Sequence, residues 1–266
     1  MKLVLVQPEF AHANGASAHP LRNLDALSRQ LEPRAEQLTH GDVVLLPEHI
    51  VDLLPHAQYA TAVCDLARRL GCHVVGGSHH DERGEARVNA GIVSDSRGQV
   101  VAEYEKLRPY AGERGCVAGG STLGELSIAG RRILVLVCAD FWFSDVFQRV
   151  QELPDLVLVP AYSVSRKPQP NYSRELWRHL AIARAYEFGV YVGVSDWAHV
   201  PVPGLLQPSA VAGLADPTTT DVDAFFVSLG DDSVRWFTLD FDKLAAFRAD
   251  RLARGFFWKT PRTAGR

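Results

Sequence analysis

A layered α/β fold is what the sequence predicts. Short apolar runs bounded by Gly, Pro and Asp alternate with segments of helical periodicity, and one clear hairpin signal sits among them. The 266 residues, 47% of them hydrophobic, can bury a sizeable core. Length alone permits one large domain or two small ones. Nothing in the sequence marks a break, so a single domain over residues 1–266 is expected.

Taken in order, Lys2–Val6 is a first strand and His12–His19, rich in Ala with Asn, Gly and Ser, a loop. Arg22–Gln37 has Leu24, Leu27 and Leu31 on one helical face, and Pro33 should kink or split that helix. Asp42–Leu46 is a buried strand ending abruptly at Pro47. Tyr59–Leu70 is helical, with Gly71 as its stop, and His73–Gly76 is the next strand. Val88–Ser94 and Gln99–Tyr104, joined by Asp95-Ser96-Arg97-Gly98, form the hairpin. Ser121–Ile128 and Arg132–Val137 are strands around Gly130, and Val146–Leu153 reads as helix. The strand Leu156–Pro160 precedes a long helix, Arg174–Phe188, closed by Gly189; the strand Val190–Ser195 follows. Ala224–Leu229 and Val234–Leu239 are the last strands, before a helix over Phe241–Arg251.

A formal net charge of -3, with both signs interspersed, leaves no electrostatic footprint for nucleic acid or an anionic membrane. A small-molecule substrate is the expectation. The apolar run near Met1 is too short for a signal-peptide core or a spanning helix, which implies a cytoplasmic protein. Cys64, Cys72, Cys116 and Cys138 lie at no zinc-like spacing, and free thiols are expected, with Cys64 and Cys72 inert in apolar surroundings. His79 and His80 are adjacent, and neighbours on a strand point to opposite faces, so they are a poor pair of ligands for one ion; no metal site is expected.

Three polar residues fall at the carboxyl ends of predicted apolar strands, where open α/β sheets place their ligand sites: Glu48, Lys106 and Cys138. Glu48 follows Val43-Val44-Leu45-Leu46-Pro47, where burial tends to raise a carboxyl pKa toward that of a general base. A strand-end carboxylate that caps a neighbouring helix fits the same position. Lys106 follows Val100-Val101-Ala102-Glu103-Tyr104-Glu105 and suits either an oxyanion stabiliser or a solvated charge. Cys138 follows Ile133-Leu134-Val135-Leu136-Val137 and opens a turn, which fits an activated nucleophile or a buried inert thiol.

Taken together, Pro47-Glu48, Tyr104-Glu105-Lys106 and Cys138-Ala139-Asp140 resemble the motifs of the nitrilase superfamily of carbon-nitrogen hydrolases, in its amidase-like branch. The resemblance spans almost the whole chain. Asn89-Ala90, Leu158-Val159-Pro160-Ala161 and Ala183-Arg184-Ala185-Tyr186-Glu187 recur in the order it requires. It implies a four-layer αββα sandwich and the triad Glu48, Lys106 and Cys138. Cys138 would form a thioester, Glu48 would act as general base and Lys106 as oxyanion stabiliser. Glu113 fits the second glutamate of the family, or a surface charge paired with Arg114; Glu187 would be a supporting residue and Asp140 a turn cap. No metal or organic cofactor is implied, because a thiolate with a paired base supplies the nucleophile.

The departures bear on substrate. Ala139 replaces the larger residue usual after the nucleophile and would widen the pocket; Glu187-Phe188, Asp196 and Pro208-Ser209-Ala210 replace other familiar steps. Trp142 and Tyr162, beside motif residues, are candidates for substrate contact or for core packing, as are Phe141 and Phe143. Ser163–Ser173 suits a pocket rim, where an inward-facing Arg166 or Lys167 would bind a substrate carboxylate, or a solvated loop, which is the reading favoured. The expected activity is hydrolysis of an amide, ω-amide or carbamoyl compound, an amide rather than a nitrile. The alternatives are an acyltransferase of the same superfamily and a catalytically idle binding or assembly module. A homodimer or higher homo-oligomer is expected by the same resemblance, and Gly255-Phe256-Phe257-Trp258 is apolar enough to require burial.

Overall fold

The computed structural model describes residues 1–9, 19–51, 54–150, 152–164, 169–201 and 207–257. Most of the loop expected over His12–His19, together with Arg166, Lys167 and Trp258, lies outside them.

The strands are β1 (Lys2–Val6), β2 (Val43–Leu45), β3 (His73–Val75), β4 (His79–Arg83), β5 (Ala86–Ser94), β6 (Val100–Glu105), β7 (Gly124–Ile128), β8 (Arg131–Val135), β9 (Leu156–Pro160), β10 (Tyr191–Ser195), β11 (Gly213–Ala215), β12 (Phe226–Ser228) and β13 (Val234–Thr238). The α-helices are α1 (Arg22–Leu31), α2 (His56–Leu70), α3 (Pro170–Phe188) and α4 (Phe241–Ala253). One sheet runs β13-β1-β2-β3-β5-β4, with β6 also paired to β5; the other runs β12-β11-β10-β9-β8-β7. Each is built on three parallel strands, β1-β2-β3 and β8-β9-β10.

Strand periodicity explains the layering. Along β1, Leu3 and Leu5 join the core shared with the second sheet. Val4 and Val6 turn the other way, onto Leu24, Leu27 and Leu31 of α1 and Val63, Leu66 and Leu70 of α2. The sheets approach so closely that a Cβ on Gly193 of β10 would lie 2.8 Å from Leu3 Cδ2. On the outer face of the second sheet, Trp177, Ala181, Ala185 and Phe188 of α3 and Leu244 of α4 close the fourth layer. The architecture is αββα, as the resemblance implied. Each fully buried Leu or Val in these layers contributes roughly 2 kcal/mol of hydrophobic stabilisation.

Local chemistry sets most element ends. Gly71 adopts a left-handed conformation (φ 66°) and caps α2, as expected. The predicted helix over Arg22–Gln37 divides into α1 and a 3-10 segment, Glu32–Gln37, with Pro33 in its first turn. Val146–Leu153 is not an α-helix: a 3-10 turn over Ser144–Gln148 suffices to bury Val146 and Phe147, and the chain must straighten before Pro154 to enter β9. Two strands escaped the sequence reading. β4 reads His-His-Asp-Glu-Arg, with no apolar alternation, and β11 has three residues. Phe256 remains 60% exposed, its ring beside the Arg251 guanidinium, so burial within the chain does not account for it. No helix among the described residues is long and apolar enough to cross a membrane.

Candidate active site

Parallel strands end on one edge of the sandwich, and their exits carry the polar residues. Beyond β2, Glu48 is 1% exposed; its backbone N–H donates to Ala161 O (3.2 Å) and its carbonyl accepts from Trp197 Nε1 (2.7 Å). Beyond β6, Lys106 is 3% exposed and its backbone N–H donates to Asn89 O on β5 (2.8 Å). Beyond β8, Cys138 is 6% exposed and opens a 3-10 turn, Cys138–Trp142. Its φ of 46° is a left-handed conformation that a non-glycine residue adopts at a cost of about 1–3 kcal/mol, as is common where a side chain must be aimed.

The three residues meet. Lys106 Nζ lies 2.7 Å from Glu48 Oε1 and 2.6 Å from Glu113 Oε2. Asn89 Nδ2 donates to Glu48 Oε1 (2.9 Å) and Glu113 Oε1 (2.7 Å), tying the two carboxylates together. The backbone N–H of Tyr110 donates to Glu113 Oε2 (2.9 Å), and His80 Nε2 stands 3.4 Å from Glu113 Oε1. Glu113 is therefore part of the buried cluster rather than a surface partner of Arg114. Burial alone would raise its pKa, but the His80 contact and the Lys106 ammonium outweigh it and hold the carboxyl well below the usual range. For Lys106, burial pulls the pKa down, yet the charges of Glu48 and Glu113 lift it above the ordinary ammonium value.

Cys138 sits beside this cluster in a different state. Burial first, then the Glu48 carboxylate, push its thiol well above the ordinary range, while the Lys106 ammonium pulls weakly the other way. Sγ lies 3.9 Å from Tyr162 O, and Glu48 and Lys106 are the charges that act on it. Burial and Glu48 together favour the protonated form of the thiol. Cys64 and Cys72 are buried and free, with burial holding Cys72 up at about 12; Cys116 is the exposed thiol among the four.

Asp140 fits its expected role as a turn residue and does more. Its carboxyl accepts the backbone N–H groups of Leu107 (2.8 Å) and Arg108 (2.9 Å), locking the Cys138 turn to the Lys106 loop. Glu187, by contrast, is exposed and pairs with Arg184 (3.2 Å), away from the cluster.

On the far side of the sulfur opens a cavity of about 360 Å³ bounded by Cys138 and Ala139, with Trp142, Tyr162, Tyr172 and Trp177 among its aromatic walls. Trp142, Tyr162 and Ala139 therefore stand where the sequence suggested. Ser163 and Ser173 also line it, so the described ends of the expected rim do border the site. Asp196 anchors that rim from below: fully buried, it accepts the Ser163 hydroxyl, the Ser163 N–H (3.1 Å) and the Val211 N–H (2.9 Å), while Ser209 Oγ donates to Ser163 O (2.8 Å).

Sequence reasoning passed over Asn89 as a site residue, noting it only as a landmark, and passed over His49, His80, Tyr172 and Trp177. His49, next to Glu48 in the chain, places Nε2 3.8 Å from Glu48 Oε1 and meets the His80 ring edge-on at 4.6 Å. Burial keeps its imidazolium form disfavoured. Among the described residues, two groups have potential ligand atoms within 4.8 Å of one another: His49, His80 and Glu113, and His56, His79 and Asp81. The first already holds the Lys106 ammonium, and Asp81 of the second is engaged by Arg83 at 2.7 Å, so a cation at either place would meet a resident positive charge.

An αββα sandwich with a cysteine, a lysine and two glutamates gathered at its strand ends defines the class of the carbon-nitrogen hydrolases of the nitrilase superfamily. The chain belongs to this family: the carbon-nitrogen hydrolase model matches residues 34–213. No curated protein sequence matches significantly. Among solved structures, a CN-hydrolase superfamily protein from Xanthomonas campestris with an arsenic adduct in its active site superposes with a TM-score of 0.74 at 23% identity, over 94% of each chain. A cysteine-to-serine mutant of a Nesterenkonia amidase from the nitrilase superfamily gives 0.67 at 23% identity, over 97% of this chain and 98% of that one. At such identities the likeness establishes the fold.

Proposed function

We propose that the chain is a thiol amidase that cleaves a non-peptide carbon-nitrogen bond through a thioester on Cys138. The observation that carries this reading is the convergence of Glu48, Lys106 and Cys138 at the strand ends, with Lys106 Nζ 2.7 Å from Glu48 Oε1 and Cys138 opening a turn that borders the cavity. Glu48 takes the thiol proton as the sulfur attacks the amide carbonyl carbon. The carbonyl π pair becomes an oxyanion, met by Lys106 and the backbone N–H of Ala139. Lys106 has three N–H donors, two of them committed to Glu48 and Glu113, which leaves one for the oxyanion. Each such donor is worth about 3 kcal/mol in the transition state.

Glu48 then returns its proton to the departing nitrogen, the carbon-nitrogen bond breaks and the thioester remains. A water deprotonated by Glu48 attacks that thioester, the acid leaves, and the proton goes back to sulfur. Glu113, aligned by Asn89, Tyr110 N–H and His80, holds Lys106 in place throughout. A glutamate-to-glutamine mutant of the Nesterenkonia amidase carries the acetamide moiety of fluoroacetamide covalently at its active-site cysteine, which supports a cysteine nucleophile in this fold. The test is turnover of a panel of short amides by the purified protein, followed by ammonia release. Hydrolysis that vanishes in Glu48→Gln is expected, and full activity in that variant contradicts the reading.

A further inference from the structure

The cavity beside Cys138 bears on what the acyl group must be. A tetrahedral intermediate has four substituents on carbon. Sulfur belongs to Cys138, the oxyanion faces Lys106, and the leaving nitrogen must face Glu48 to receive its proton. The fourth substituent, the acyl chain, can only leave the charged cluster behind and enter the cavity on the other side of Sγ. That cavity is walled by Trp142, Phe143, Tyr172, Leu176 and Trp177, and among the described residues no Lys, Arg, His, Asp or Glu side chain lines it. Trp142, Phe143, Tyr172 and Leu176 are also between 38% and 53% exposed, so apolar surface is gathered at the mouth of a single pocket.

The dimensions agree. A dry apolar cavity of roughly 150 Å³ holds a benzene ring. About 360 Å³ therefore accommodates a phenyl ring, a linker of one or two carbons and the carbonyl. Ala139, at the junction of sulfur and cavity, leaves the passage open. On the nitrogen side stand Glu48, Lys106, Asn89 and Glu113, all buried and none of them lining the cavity, which suits ammonia as the leaving group better than a bulky amine.

We propose that the substrates are primary amides whose acyl group is uncharged, apolar and ring-bearing, of the size of phenylacetyl or phenylpropionyl. An acyl chain ending in a carboxylate, as in an ω-amide or a carbamoyl amino acid, would meet no cation among the described lining residues, the Arg108 guanidinium behind Phe143 being paired with Asp145 at 2.5 Å. This rests on the amidase reading above, and the experiment keeps the two apart. The purified protein is assayed with 3-phenylpropionamide, acetamide and succinamate, and kcat/KM is compared for the wild type and Leu176→Arg. Leu176 is 39% exposed on α3, so an arginine there brings a cation to the pocket without entering the core. The expected wild-type preference for phenylpropionamide over succinamate is about 100-fold or more, the scale on which a pocket discriminates by several carbons or by one unpaired charge. In Leu176→Arg that ratio falls at least about tenfold. A wild type that turns over acetamide or succinamate as well as the aryl amide overturns the inference and leaves the amidase reading standing. Turnover of none of the three, with no adduct on Cys138, overturns both.

Discussion

The two sides of the Cys138 sulfur are opposites. On one side four buried polar side chains are joined by hydrogen bonds of 2.6 to 2.9 Å, every one of them through Lys106 or Asn89. On the other, aromatic rings stand around open space and the polar groups are serine and tyrosine hydroxyls, that of Ser163 tied to Asp196 and to the Ser209 N–H. The first region is rigid and expensive to desolvate, which suits charge that must be in place before reaction. The second is loose and apolar, and suits recognition by shape. On the proposed mechanism chemistry and specificity are separated by one atom, and substitutions on the two sides should fail in different ways.

The largest effect belongs to the atom between them. Cys138→Ala should lower kcat by about 10⁴-fold or more while the circular dichroism spectrum is unchanged, because the change removes a single small atom from the side chain. Next comes the charged side. Lys106→Met removes the cation between two buried carboxylates and should cost about 3–5 kcal/mol in urea unfolding as well as roughly 10³-fold in kcat. Trp142→Ala, on the aromatic side, should leave the unfolding midpoint nearly in place and reduce the preference for an aryl amide over acetamide about tenfold. A Trp142→Ala protein as unstable as Lys106→Met would mean that the two sides are one cooperative unit.

A pH dependence tests the link between them. Asp140, which joins the Cys138 turn to the Lys106 loop, has its carboxyl raised by burial from 3.8 to about 6 despite its two backbone donors. Between these values the folded protein holds more protons than the unfolded chain, so stability from this group falls as pH rises through that window, by up to about 3 kcal/mol at pH 7. In Asp140→Asn that slope should be absent. Unfolding midpoints compared at pH 4.5 and 7 would show it as a difference between variant and wild type.

The charged side was legible in the sequence and the aromatic side largely was not. Glu48, Lys106 and Cys138 follow strands, but each position alone suited an ordinary structural role, and it was their joint resemblance to the family motifs that selected them. Glu113 was placed by the same resemblance, on the loop after Lys106. Asn89 was harder, because it lies within the strand β5 among apolar neighbours and its side chain reads as an ordinary interruption. His80 was obscured by β4, a strand of five polar residues that alternation does not reveal. The pocket wall draws Tyr172, Leu176 and Trp177 from α3, whose aromatic spacing matches core packing as well as it matches a cavity. Which of the two it is depends on how far the helix stands from the Cys138 turn, and no residue pattern encodes that distance. The four-layer sandwich was legible only through the family resemblance, since β1 is apolar on both faces, as a strand buried between two layers must be.

The account turns on a covalent acyl-enzyme at Cys138, and intact-mass spectrometry of the acid-quenched protein during turnover of an aryl amide measures it directly. A mass increase equal to the acyl group less one hydrogen is predicted for the wild type and for Cys116→Ala, which removes the exposed thiol, and none for Cys138→Ala. An adduct that persists in Cys138→Ala, or turnover that persists there at the wild-type rate, would contradict it.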